Sequence, residues 1–390
     1  MAMGSFSYGP LAPFFRDDLG ISRGQVGTLI AVYYFTGTVA NIPAGILVDR
    51  LGARSMLILC LVLEGLPFAV MSLADSYVMI GVFSALSGIG YGFINQVSTK
   101  GIMNWFPPAG RATAMGIKQS GVTIGAATVA WLLPMLAVAY SWRTGVRAIG
   151  LAMFVMALGA FIFYREHPPG SAPREPIADG NKSGQSLLMV LAQPTLLALL
   201  LIVPFLAFSQ GCMVSFLVLY LKEQVGLPVE LAGQCMTAGM MAAAIGRISW
   251  GVVSDRVFGG DRLTPVIIMS VIGAVSTTGV ALLSPGSSAW PAFFWSILLG
   301  FSLSGWNGMV MVLSAELGGI TLAASVVSVL ITVTGLGFLV GPIVFGYVAD
   351  HLGYFSSWMI VVITSLFSVG GFVHIDALHR RRDRDVSRQP

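Results

Sequence analysis

The hexapeptide Gly45-Ile46-Leu47-Val48-Asp49-Arg50 returns far along the chain as Gly251-Val252-Val253-Ser254-Asp255-Arg256. Each copy closes a long apolar run, and each is followed by a further basic residue, Arg54 or Arg262. Outward from this pair, apolar runs occupy 24–48, 55–74, 77–105, 112–138, 143–164, 187–221, 229–253, 264–284, 289–313, 321–349 and 355–376, eleven in all. A helix crosses the hydrocarbon core of a bilayer with about 20 residues. The opening segment Met1–Phe15 is stopped by Arg16, Asp17 and Asp18. It is too short to cross and reads as the second half of a first helix whose first half lies upstream. With that helix counted, one copy follows the second span and the other the eighth. The same motif six spans apart indicates a duplicated six-helix unit.

The boundaries follow from this repeat. Residues 1–165 make an N-terminal six-helix bundle with an incomplete first helix, and 187–376 make the C-terminal bundle. Between them, 166–186 is a cytoplasmic linker with Pro168, Pro169, Pro173 and Pro176 among small polar residues, a flexible composition. Residues 377–390 form a basic tail. The fold class expected is an all-α polytopic membrane protein of two pseudo-symmetric bundles.

Composition excludes most other classes. Of 390 residues 56% are hydrophobic and 10% charged, with a mean hydropathy of +0.84, whereas soluble domains carry about 25% charged residues. Too few polar groups exist to clothe a water-soluble enzyme, a nucleic-acid binder or a secreted scaffold. Cys60, Cys212 and Cys235 all fall in apolar stretches and read as small hydrophobes, suggesting neither disulfides nor a metal site. Met1–Phe15 lacks the basic start and cleavage site of a signal peptide. No His-Glu-x-x-His, Gly-x-Ser-x-Gly or P-loop occurs and the four histidines are dispersed, so neither an intramembrane enzyme nor a cofactor is expected.

Basic residues set the orientation. With the Gly45–Arg54 turn inside, the cytoplasmic side collects Arg50, Arg54, Arg111, Arg165, Arg174, Lys182, Arg256, Arg262, Arg380, Arg381, Arg382, Arg384 and Arg388, and the outside Arg16, Arg23, Arg143, Arg147 and Lys222. Thirteen against five puts both termini in the cytoplasm of a multi-pass protein of the plasma (inner) membrane. The arginines of the tail fit anionic headgroups.

The stretch Gly45–Arg54 resembles the signature loop between the second and third helices of the major facilitator superfamily, with Ala53 at a usually basic position. The resemblance covers essentially the whole chain. It implies two bundles that rock about a central site, with Asp49, Arg50, Arg54 and Arg111, and in the second copy Asp255 and Arg256, gating the cytoplasmic side. Within the superfamily, Asn104-Trp105-Phe106-Pro107-Pro108-Ala109-Gly110-Arg111 and the following Ala112–Gly116 resemble the start of the fifth helix in oxalate/formate exchangers and monocarboxylate transporters. Ser5–Gly9 fits the same branch. Before Gly88-Ile89-Gly90-Tyr91-Gly92, where an arginine often stands, this chain has Phe83 and Ser84, so proton coupling through that arginine is not open to it.

Three ionisable residues cannot reach water at a helix end: Lys118, Arg247 and Glu64. Each charge would cost about 2.5–3.5 kcal/mol on insertion scales. Lys118 is followed by Gly121 and Gly125, and Arg247 is in line with Ala243 and Gly251; such small residues predict faces where helices pack closely. Lys118 lies about 10 Å beyond Arg111 and Arg247 about 12 Å before Asp255 at 1.5 Å per residue. Two cations at one depth, one from each half, fit a shared anion. In the carboxylate branch the arginine at the position of Arg247 binds substrate, whereas its eleventh-helix cation is here Thr334. A structural arginine bonding carbonyls and a snorkelling lysine are the alternatives. Glu64 is expected on a third helix peripheral to the cavity, as a neutral hydrogen-bonded acid, with proton coupling the lesser reading.

Tyr8, Asn95, Gln96, Ser209, Gln210, Trp306 and Asn307 fall on the first, fourth, seventh and tenth helices, which line the pathway in this superfamily. Asn41, eight residues before Asp49, mirrors Arg247 across the repeat. The expected function is secondary active transport of a small organic anion, a mono- or dicarboxylate, by alternating access. The expected partners are that anion, the lipid bilayer and a co-transported proton, with no nucleic acid, in a monomer. A multidrug or cation exporter on the same fold is the alternative, but it would want buried carboxylates rather than two cations. Nitrate is disfavoured because the fifth and eleventh helices lack the Gly-Asn repeat of nitrate carriers.

Overall fold

The computed structural model describes residues 2–106, 108–166, 190 and 193–386. The proline-rich linker after Glu166 and the side chains of Arg111 and of the tail arginines lie outside the described residues. The described chain is helical throughout, as the hydropathy pattern requires, because lipid leaves backbone polar groups no partner but each other. In order come α1 (Ala2–Ser5), α2 (Tyr8–Leu19), α3 (Arg23–Met71), α4 (Tyr77–Trp105), α5 (Pro108–Ala139) and α6 (Trp142–Phe163). Then follow α7 (Pro194–Tyr220, extended by a π-turn, Leu221–Val225), α8 (Val229–Arg256), α9 (Leu263–Ala281), α10 (Ala289–Leu303), α11 (Trp306–His351) and α12 (Gly353–Val386). Nine helical segments among the described residues are long and apolar enough to cross a membrane. Outside these nine, α3 consists of two arms, because Gly52 bends it at φ 80°, ψ 160°, a conformation that needs glycine.

The chain forms two compact units, one of Met1–Ile177, Val214–Glu223 and Leu227–Thr237, the other of Ala178–Met213, Gln224–Gly226 and Ala238–Pro390. In the first, α4 lies against both arms of α3 through a run of glycines. A Cβ at Gly88 would strike the Tyr33 carbonyl, one at Gly92 the Gly37 carbonyl, and one at Gly90 would stand 2.7 Å from the Cys60 carbonyl. Gly65 and Gly150 bring the second arm of α3 against α6 in the same way. In the second unit, Gly239 meets α10 at Ser296 and Gly246 meets it at Phe301. Its core gathers Leu199, Val203, Trp250, Met269, Trp306, Val310 and Phe372. Large apolar side chains such as Ile42, Val78, Ile117, Phe163, Trp290 and Ile363 are exposed, as a lipid-facing surface demands.

Candidate functional site

Lys118 is carried by α5, and its Nζ donates to Asn95 Oδ1 of α4 at 3.4 Å. Gln96, next to Asn95, and Asn41 on α3 are both half-buried. The close-packed face expected around Lys118 is only partly there. A Cβ at Gly125 would meet Ala2 and Met3, but one at Gly121 would meet nothing within 4 Å. Gly251 below Arg247 is equally open, whereas Ala243 is buried. Spacing alone cannot separate a glycine that admits a neighbouring backbone from one that faces open space, and Gly121 and Gly251 are of the second kind.

Arg247 sits in the second unit, its Nε donating to the Ser304 carbonyl at 3.2 Å. That carbonyl lies at the break between α10 and α11, where Ser304 and Gly305 separate the two helices. One turn of sequence further, Asn307 Nδ2 donates to Gln210 Oε1 of α7 at 3.1 Å. Arg247, Gln210 and Asn307 thus stand on three elements of one unit. Ser209 bonds instead to Thr364 and Ser365 of α12. Trp306, 2% exposed, belongs to the apolar core, and its Nε1 has no hydrogen-bond partner.

Tyr8 and Glu64 share the interior of the first unit. The Tyr8 ring lies 5.5 Å from Tyr33 and 5.8 Å from Phe68. Its hydroxyl and that of Ser84 are neighbours but complete no hydrogen bond of normal geometry. Glu64 is fully buried, and Tyr33 Oη donates to its Oε1 at 2.8 Å.

Both copies of the signature end in ion pairs. Asp49 pairs with Lys100 of α4 at 2.9 Å, and Arg50 is exposed. Arg54 donates to the Phe161 carbonyl and lies over the Phe161 ring. The turn itself is held by Glu166, whose carboxylate accepts the backbone N–H groups of Ala53 and Arg54 at 2.7 Å each. That is the bond pattern of an N-cap for the second arm of α3. In the second copy, Asp255 and Glu316 both pair with Arg262, at 2.5 and 3.3 Å, while Arg256 is exposed. The two carboxylates hold the Arg262 guanidinium above its ordinary pKa. Lys100, Glu166 and Glu316 were not singled out in the sequence. Their partners lie far away in the chain, and no local pattern marks such residues.

At the other end of the first unit, Arg16 and Arg23 both meet Glu223, the latter at 2.8 Å, and Lys222 meets Asp17. Asp18 accepts from Trp142 Nε1 at 3.0 Å and from Arg143 Nη1 at 2.6 Å. The indole bond first, and then the guanidinium, hold the Asp18 carboxyl below the usual aspartate range. No group of three or more metal-ligating side chains occurs among the described residues.

Known proteins resemble this chain along most of its length. A hexuronate transporter of Bacillus subtilis strain 168 is 27% identical over 370 residues, covering 93% of this chain and 78% of the relative. A probable sulfoacetate transporter of Cupriavidus necator is 24% identical, covering 88% and 82% of the two chains. A probable nitrate/nitrite transporter of Mycobacterium tuberculosis is 26% identical, covering 92% and 89%. Among solved structures, a bacterial homologue of the human lysosomal transporter Spinster superposes with a TM-score of 0.79 at 18% identity, covering 96% of this chain and 93% of that one. The nucleoside transporter NupG, as its D323A mutant, gives 0.78 at 13% identity, covering 96% and 98%. The fold is thus shared with these solved structures. The sequence profile described as Major Facilitator Superfamily matches residues 1–342, and the chain belongs to that superfamily of multi-pass membrane transporters.

Proposed function

We propose that this transporter moves a small organic anion bearing a carboxylate by alternating access, and that Arg247 and Lys118 bind it. The observation that carries the reading is the setting of Arg247. Its Nε is tied to the Ser304 carbonyl at a helix break, which orients the planar guanidinium, and the Gln210–Asn307 amide pair stands on the neighbouring elements. A guanidinium so oriented suits the bidentate recognition of a carboxylate. The substrates in the relatives' names are hexuronate, sulfoacetate (a probable transporter) and nitrate/nitrite (a probable transporter). The first two are carboxylates and all three are anions, which favours an anion carrier over an exporter of cations. The resemblance of residues 104–116 to carboxylate carriers points the same way. On this reading the carrier works as a monomer in the inner membrane with both termini cytoplasmic.

Equilibrium binding to the purified protein tests this, with glucuronate, sulfoacetate, oxalate, formate, nitrate and a lipophilic cation as probes. Saturable binding of at least one carboxylate, with none of the cation, is expected. Binding of the cation alone would overturn the reading. Binding of nitrate without any carboxylate would reassign the site to inorganic oxyanions.

A further inference from the structure

We propose that Trp250 is a positioning residue of the anion site: its indole N–H holds open the break between α10 and α11, so that the Ser304 carbonyl anchors Arg247. This rests on the anion-binding reading above and deepens it. Trp250 follows Arg247 by three residues on α8, a spacing that makes the two side chains neighbours on one helix face. Trp250 is 7% exposed, and its Nε1 donates to the Phe301 carbonyl at 3.3 Å. Its ring lies 5.3 Å from the Phe301 ring, tilted by 44°. Arg247 Nε donates to the Ser304 carbonyl at 3.2 Å. One face of α8 thus takes up two carbonyls, three residues apart, where α10 ends.

In an unbroken helix the Phe301 carbonyl would accept from Gly305 and the Ser304 carbonyl from Gly308. Here the Gly305 N–H turns to the Ser302 carbonyl at 3.3 Å, and α8 supplies the donors to Phe301 and Ser304. Backbone strain does not make this break. Ser304 (φ −113°, ψ −7°) and Gly305 (φ −80°, ψ −22°) lie in or beside the right-handed helical region, which is open to any residue. Kinks of this kind arise where a side chain enters the i→i−4 ladder, and Trp250 and Arg247 are those side chains. Glycine serves here by its size. A Cβ at Gly305 would strike the Phe301 carbonyl oxygen and stand 3.5 Å from Trp250 Cδ1, and one at Gly246 would lie 2.7 Å from the same oxygen. Without the indole N–H, the Phe301 carbonyl loses its partner at membrane depth, a costly state. The Gly305 N–H can return to it with little change in φ and ψ. The restored ladder then gives the Ser304 carbonyl to Gly308, and Arg247 loses the acceptor that sets the plane of its guanidinium. Trp250 acts on the anion through Arg247.

The test uses the full chain, purified in detergent, with glucuronate and sulfoacetate as probes. W250F keeps a ring against Phe301 and removes the N–H donor. It should weaken binding of whichever probe the wild type takes by about three- to tenfold, the range of one net hydrogen bond. In R247K, which has no fork to orient, adding W250F should change affinity by less than about twofold. Wild-type affinity in W250F overturns the proposal. So does a W250F loss as large in R247K as in the wild type, the pattern of a merely structural tryptophan. A second readout needs no ligand. In protein labelled with nitrogen-15 arginine, the Nε–H resonance missing from R247K belongs to Arg247. In W250F it should shift and exchange faster with water, as a donor without its acceptor does, and an unchanged resonance overturns the proposal. If W250F yields no folded protein, G305A takes its place, because its Cβ would displace the Phe301 carbonyl from the indole. The same shift is expected there, and its absence counts against the proposal in the same way. If the wild type binds neither probe, the anion reading fails, and the resonance still decides whether Trp250 positions Arg247.

Discussion

A guanidinium and an ammonium differ in geometry more than in charge, and the anion site proposed for Arg247 and Lys118 rests on that difference. Arg247 is fixed through Nε to a backbone carbonyl, so its planar fork has a set direction. Lysine at that position would keep the charge and lose the fork. Arg247→Lys is expected to lower carboxylate affinity by ten- to a hundredfold, roughly the 1.4–2.8 kcal/mol within the range of a charged hydrogen bond, while the protein still inserts and purifies as a single species. Wild-type affinity in the lysine variant would remove Arg247 from the site. Lys118 makes a long bond to Asn95, at 3.4 Å. Removing its charge should therefore cost the empty protein little. In Lys118→Gln the thermal stability without ligand is expected to stay near that of the wild type. The stabilisation produced by a bound carboxylate should shrink, since it follows RT ln(1 + [L]/Kd). A large loss of stability with an intact ligand-induced shift would make Lys118 a structural lysine.

Among the elements, the bent helix α3 shows how the signature motif works as a piece of backbone. Its arms separate at Gly52, whose φ of 80° is hard for any residue with a Cβ. Glu166 then closes the turn by accepting two N–H groups at the start of the second arm. Gly52→Ala is expected to destabilise the protein by about 1–3 kcal/mol through backbone strain, seen as a fall in melting temperature. Glu166→Ala should cost about 1 kcal/mol as a lost helix cap. Unchanged melting in both variants would show that the turn is not held in this way. The spans and the glycine turn were legible in the sequence because each is written locally, in an unbroken apolar run or in one motif. Lys100, Glu166 and Tyr33 were not, because a long-range partner is chosen by packing and leaves no mark on the residues around it. Gly121 and Gly251 mark the opposite failure, since small residues at helical spacing suggested close packing where the structure has open space.

At the scale of the whole molecule, charge is concentrated at helix ends, and the two ends differ in how they respond to their surroundings. Asp18, held below the usual aspartate range by Trp142 and Arg143, contributes stability above the unfolded pKa of about 3.9. That contribution is lost as the pH falls through the lower folded value. Asp18→Asn should therefore be less stable than the wild type at neutral pH and flatter in its melting below about pH 4. Equal pH profiles would mean that the bond contributes nothing. Orientation admits a direct test because the three native cysteines are buried and give little background to a thiol reagent. Asp75, between α3 and α4, has an 87% exposed side chain, and Arg50, in the signature turn, is exposed as well. They lie at opposite ends of the second arm of α3, which is read as crossing the bilayer once between them. The excess of arginine and lysine on the side of Arg50 predicts a cytoplasmic position for that turn. Asp75→Cys is accordingly expected to react with a membrane-impermeant maleimide on intact cells. Arg50→Cys should react only after the cells are opened. The reverse pattern would turn the molecule over in the membrane and place the signature turn, with Asp49 and Lys100, at the outer face.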